Sequence, residues 1–201
     1  MTDRELLKDL GPKIAEHLPG WKYCFDDDYR GSYFIPEDFA GKVRGAQSIH
    51  LGLDHKNRLH VSGSWPYGRD NACVTPSDLY IDGKRQESTS ISCDSSRPPE
   101  KIAADILRRF LPSYLDLYAK CVQKSNEHCD GIDKQLAVTQ EFAKIVKYTT
   151  KNAHASWYGE DCYGHVDVNW GGDSATLELR GNVEILKAAL LAAVKAGALK
   201  K

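Results

Sequence analysis

Apolar residues recur at three-and-four spacing at the start of the chain, where Leu6, Leu7, Leu10, Ile14 and Leu18 mark an amphipathic helix over residues 3 to 18. Gly11-Pro12 falls inside that pattern and is expected to split it. Trp21 to Phe25 reads as a strand, followed by an irregular segment. From Gln47 the period becomes two. Ile49, Leu51 and Leu53 alternate with polar residues, and Leu59, Val61, Gly63 and Trp65 do the same. If both apolar sets face one core, Leu53 must oppose Leu59 and Asp54 must oppose Arg58, which leaves His55, Lys56 and Asn57 as the loop. Further strands are expected at 73 to 81 and 88 to 93 around Asp82-Gly83, a dipeptide that permits positive φ. Together these predict an antiparallel meander.

Arg97-Pro98-Pro99-Glu100 opens a helix, since proline fits the first turn and glutamate suits the positive end of the dipole. Its stripe is Ile102, Ile106, Phe110, Tyr114, Leu117 and Cys121, widened by Ala103, Leu107, Leu111 and Leu115. Pro112 interrupts the stripe and predicts a bend or break near Phe110. A further helix is expected from Cys129-Asp130-Gly131 to about Tyr148, on Ile132, Leu136, Gln140, Phe142, Ala143 and Val146. A second hairpin sets Val166, Val168 and Trp170 against Ala175, Leu177 and Leu179, with Val168 opposite Leu177 around Gly172-Asp173. Asn182 then caps a closing helix whose Val183, Leu186, Leu190 and Val194 should face inward.

This order predicts an α+β fold, with an antiparallel sheet and a C-terminal hairpin packed on several helices. At roughly 150 residues per domain, 201 residues fit a single domain over 1–201, with 97–150 as a candidate helical subdomain. Formal net charge is −1 and hydrophobic residues make up 41%. No run approaches the 18 or so apolar residues of a membrane span, and MTDRELLKDL lacks the order of a secretory signal. Cys24, Cys73, Cys93, Cys121, Cys129 and Cys162 are too sparse for a disulfide scaffold and read as reduced thiols, giving a cytoplasmic expectation. No membrane partner or cofactor is expected.

Candidate chemistry is diffuse. On the second hairpin the inferred register sets Asp167 against Glu178 and His165 against Arg180; a divalent cation on His165, Asp167 and Glu178 would relieve the carboxylate repulsion, and the favoured reading is a solvated outer face on which water and Arg180 screen the charges. His128, Cys129, His154, Cys162 and His165 could supply a zinc site, although paired C-x-x-C knuckles are absent. His50 and His60 should be diagonal neighbours on one polar face. The motifs of serine hydrolases, zinc proteases, phosphate loops and dinucleotide folds are missing.

Charge is unevenly distributed. Residues 24 to 40 carry one positive and five negative side chains, net −4, interleaved with aromatics. Asp26, Asp27, Asp28, Tyr29, Tyr33, Glu37 and Asp38 are therefore the favoured partner-binding residues, with carboxylates steering and aromatics anchoring. Residues 101 to 151 hold nine basic residues against six acids, net +3, and Arg108, Arg109, Lys144, Lys147 and Lys151 form a candidate nucleic-acid face. Asp105 should pair with Arg108 and Arg109 across one helical turn.

The run SISCDSSRPPEKIAADILRRFLPSY from Ser90 to Tyr114, with His60-Val-Ser-Gly-Ser-Trp-Pro66, resembles segments of uncharacterised proteins from phages and mobile elements. The resemblance spans about residues 48 to 120 and carries no catalytic motif. It implies a blocker of host defence, such as an anti-CRISPR protein, and transfers no functional residue. The leading expectation is thus a non-enzymatic binder that occludes a host protein or nucleoprotein complex. The alternatives are a nucleic-acid-binding accessory protein and a metal-dependent hydrolase at His165, Asp167 and Glu178. Oligomeric state stays open.

Overall fold

A computed structural model describes residues 2–26, 31–39, 47–54, 56–68, 71–146, 154–158 and 161–196. The architecture is α+β, and the chain divides into two compact units, Met1–Asn126 and Glu127–Lys201. Among the described residues no helix is long and apolar enough to cross a membrane.

The first unit opens with α1 (Asp3–Ala15), where Thr2 and Glu5 form a capping box and Leu10 and Ile14 are buried. Gly11-Pro12 does not split this helix. The Tyr23 ring packs where a side chain at position 11 would stand, and burial of Leu10, Ile14 and nearby Leu18 outweighs the hydrogen bond that Pro12 removes. Five strands follow: β1 (Trp21–Asp26), β2 (Gly31–Pro36), β3 (Ile49–Leu53), β4 (Arg58–Gly63) and, after a short two-stranded ribbon, β7 (Ser90–Asp94). They form one antiparallel sheet in the order β1-β2-β3-β4-β7.

The β3–β4 register agrees with the parity argument. Leu53 opposes Leu59, Asp54 N–H donates to Arg58 O at 2.9 Å, and Asn57 takes the left-handed conformation at φ 55°. β2 corrects the irregular segment expected there. Its Ser32, Phe34 and Ile35 are all buried, so no alternation of period two is visible. The strand expected at 73 to 81 shrinks to β5 (Tyr80–Ile81), preceded by a 3₁₀ turn at Pro76–Asp78 and joined to β6 (Lys84–Arg85) through Asp82-Gly83, both at positive φ.

Pro112 reshapes its helix without ending it. After α2 (Pro99–Asp105) the backbone widens into a π turn, Ile106–Phe110, in which Leu111 N–H donates to Ile106 O, and α3 (Leu111–Val146) continues for 36 residues. The wide turn removes the clash that a proline ring makes in a regular helix. Ile102, Ile106, Phe110 and Tyr114 pack on Leu51, Leu59, Val61 and Ile91 of the sheet. The Tyr114 hydroxyl donates to Ser48 O at 3.0 Å and Ser64 O at 3.1 Å, which ties the helix to the residues just before β3 and just after β4.

The expected break at Cys129-Asp130-Gly131 is absent, and the boundary between the units falls within α3. Gly131 stays within the helix, and the Trp170 indole rests where a side chain there would stand. The second unit adds β8 (His154–Tyr158), a strand absent from the sequence reading, and β9 (Cys162–Val168) and β10 (Ala175–Gly181), in the order β10-β9-β8. Ala155, Val166 and Val168 are buried on one face of this sheet. The closing helix α4 (Val183–Lys195) begins with Asn182 Oδ1 accepting from Glu184 N–H at 2.9 Å, as the predicted cap requires.

The β9–β10 register differs from the expected one by two residues: Val168 opposes Ala175, Asp167 opposes Thr176 and His165 opposes Glu178. The two-residue turn is replaced by a longer loop closed by Asn169 N–H to Ser174 O at 2.9 Å, with Gly171 and Gly172 at φ 89° and 73°. Trp170 falls in that loop, and its indole lies on Gly131. Val183 and Leu190, expected inside, are exposed at 63% and 58%.

Candidate functional site

The outward face of β8, β9 and β10 gathers six titratable side chains among the described residues. Period-two geometry puts His154 and Ser156, Tyr163, His165 and Asp167, and Glu178 and Arg180 on this face, opposite buried Ala155, Val166 and Val168. Asp167 lies across from His154, and its Oδ1 is 2.5 Å from His154 Nδ1. Its Oδ2 is 3.3 Å from His165 Nε2, which also stands 3.6 Å from Glu178 Oε2. The two imidazole centroids are 5.1 Å apart. Arg180 closes the row with Nη2 at 2.5 Å from Glu178 Oε1, and hydrogen bonds to Tyr163 and then Glu178 strengthen its hold on its proton. A shallow cleft of about 230 Å³ opens here, lined by His154, Ser156, Tyr163, His165, Glu178 and Arg180.

The fold therefore brings His165, Asp167 and Glu178 together through a different register. Asp167 and Glu178 are not direct partners, because Asp167 opposes Thr176 and His165 opposes Glu178, and the Arg180 guanidinium stands against Glu178. Among the described residues no group of three His, Cys, Asp or Glu side chains is arranged to hold a metal ion. His154 is the member that the sequence reading did not connect to this site. Its signal was the alternation of His154 and Ser156 with Ala155 and Trp157, that of a strand with one wet face.

The proposed zinc set does not assemble as one site. His128 stacks on Trp170 with centroids 6.3 Å apart, Cys129 is buried on α3, and His154 and His165 belong to the carboxylate cluster; the Cys162 side chain lies outside the described residues. Cys24, Cys73, Cys93, Cys121 and Cys129 are free thiols. His50 and His60 are diagonal neighbours, as expected: His50 pairs with Ser62, and Gly52 pairs with His60. Burial, and then the charge of His60, lower the His50 pKa below the ordinary imidazole value.

The acidic segment is divided by its own strands. Asp26 ends β1 opposite Gly31, whereas Glu37 and Asp38 follow β2 near Trp21, at the other end of the hairpin. Six residues of strand separate the two ends by about 17 Å. Tyr33 lies between them on β2 and packs against His50 at 5.3 Å. Asp27, Asp28 and Tyr29 lie outside the described residues. Lys22 Nζ donates to Glu37 O at 2.8 Å and Phe39 O at 3.0 Å. Among the described residues β1 pairs with β2 alone, so it is an edge strand.

On the basic helices, Asp105 gathers three guanidinium groups: Arg97 at 2.7 Å, Arg108 at 3.3 Å and Arg109 at 3.7 Å. Arg97, its closest partner, does most to hold this carboxyl below the ordinary range. The expected pairing of Arg108 and Arg109 with Asp105 is therefore present, and it compensates part of the positive charge. Lys144 lies in α3, its side chain not described, and Lys147 and Lys151 fall outside the described residues.

No family model matches the chain, and no curated protein or solved structure does.

Proposed function

We propose that the chain is a non-enzymatic binding protein that occludes the surface of a basic partner, using β1 and the carboxylates at its two ends. The observation that carries this reading is the edge position of β1, with Asp26 at one end and Glu37 and Asp38 at the other. An edge strand presents unpaired N–H and C=O groups to which a partner segment can add, and flanking carboxylates favour lysine and arginine. The partner we infer, a host protein or nucleoprotein complex whose basic groove takes carboxylates in place of phosphates, rests on the sequence resemblance read from Ser90–Tyr114 and His60–Pro66 alone.

The test compares the wild-type chain with a triple variant, Asp26→Lys, Glu37→Lys and Asp38→Lys, as baits in nuclease-treated host lysate at about 0.15 M salt. The expected result is a stoichiometric protein partner retained by the wild type and held at least about tenfold more weakly by the variant, with unchanged melting temperature. Equal capture by both baits, or recovery of nucleic acid instead of protein, overturns the reading.

A second reading follows from Asp167 between two imidazoles. A carboxylate on Nδ1 fixes the orientation and tautomer of the imidazole, the arrangement that acid–base hydrolysis requires. Turnover of a chromogenic phosphodiester or ester that falls about 100-fold in Asp167→Asn supports it. Absence of turnover by the wild type removes it.

A further inference from the structure

Three surfaces in the second unit stand apart from the sites above: the stacked pair His128 and Trp170, the open β10 edge and the outer surface of α4. The last carries an argument through. The closing helix has an amphipathic stripe through Val183, Leu186, Leu190 and Val194, yet its half-buried positions are Leu186, Ala189 and Ala193. That side lies about 90° round the helix from the line through Val183 and Leu190. Leu186 is the one large residue on the half-buried side, which it shares with two alanines. Val183, Leu190 and Leu191 are 63%, 58% and 69% exposed, and Leu177 on β10 is 58% exposed.

We propose that α4 is the interface of a homodimer, pairing antiparallel with α4 of a second copy. Charge complementarity identifies the occupant and the direction. Glu184 lies in the first turn, where Lys187 of the same helix pairs with it at 2.9 Å, and Lys195 lies in the last. They are eleven positions apart, about three turns, and so occupy one flank of the helix. Antiparallel helices set like flanks against each other, which brings Glu184 beside Lys195 of the partner subunit at both ends of the pair. A parallel pair would set opposite flanks together and lose both contacts. Opposed helix dipoles favour the same arrangement. The buried side chains described in this unit are small, and a second copy provides the apolar surface that the unit itself does not cover.

The size of the surface sets the expected strength. Thirteen residues span about 20 Å, and one such helix with Leu177 falls short of the roughly 800 Å² per partner of a standard interface. The dimer should therefore dissociate in the micromolar range.

Sedimentation equilibrium of the full chain from about 1 to 200 µM tests this. The expected result is a mass that rises from one chain toward two, with Leu190→Glu weakening association at least about tenfold at unchanged far-ultraviolet circular dichroism. Glu184→Lys should weaken the dimer, and adding Lys195→Glu should restore it. These charge variants decide the matter if Leu190→Glu fails to fold. A single-chain mass throughout the range, a dimer indifferent to Leu190→Glu, or a charge exchange that restores nothing overturns the proposal.

Discussion

The two units have similar secondary-structure ingredients and different interiors. In Met1–Asn126 the buried set includes Phe34, Phe110, Tyr114, Ile49, Ile102 and Ile106, all inaccessible to solvent and packed between one sheet face and the helices. In Glu127–Lys201 the described buried side chains are Cys129, Thr139, Ala155, Val166 and Val168, while Trp170, Leu177, Leu190 and Leu191 are exposed. Stability follows the apolar area removed from water, so the first unit has the larger reserve. The second resembles half of an interior whose other half is supplied on association. Its exposed leucines therefore matter more than isolated surface leucines would.

The largest expected effect that could break this contrast comes from truncation inside the first core. Phe110→Ala should cost about 3–5 kcal/mol, and in urea it should lower protection of the β3, β4 and β7 amides together. Val166→Ala, the corresponding change in the second unit, removes two carbons and should cost about 2 kcal/mol, seen at β8–β10 amides alone. Equal losses spread over the whole chain in both variants would mean that the two units share one cooperative core.

The smallest effect sharpens the contrast through pH. His50 has a folded pKa below its unfolded value because burial disfavours the imidazolium. Above about pH 6.5 the imidazole is neutral in both states and contributes no penalty. As pH falls below that value the unfolded chain takes up the proton first, so stability declines until pH passes through the folded pKa. Urea midpoints should therefore drop between pH 7 and 5.5 in the first unit, and His50→Gln should flatten that slope. A variant with an unchanged slope would assign the decline to other groups.

Where burial falls on one face of a regular element, the sequence reading and the structure agree. Leu53 and Leu59 meet because any odd shift would put the strand's leucines in water. Parity cannot detect an even shift. In the second hairpin a slip of two residues leaves His165, Asp167 and Glu178 on the same wet face, so their gathering was legible while their direct partners were not. Parity also carries no information on the contact of Trp170, in the longer loop, with Gly131, which joins residues nearly forty positions apart. β2 escaped for another reason, since a strand buried on both sides shows no alternation. The α4 stripe is apolar in sequence, but the structure splits it, with Leu186 half-buried and Val183 and Leu190 exposed, because periodicity does not say which surface covers a helix. Nor could a charge count reveal that β1 carries the two parts of the acidic segment to opposite ends of one hairpin.

Tyr114 illustrates a different kind of constraint. Its ring lies against Gly63 so closely that a side chain at position 63 would fall inside it, and its hydroxyl is held by Ser48 and Ser64. The two positions are thus coupled in evolutionary terms: a larger residue at 63 becomes tolerable only once the ring at 114 has shrunk, and a smaller residue at 114 leaves a hole that a side chain at 63 can fill. Among homologues of this chain, glycine and tyrosine at these positions should be inherited and lost as a pair.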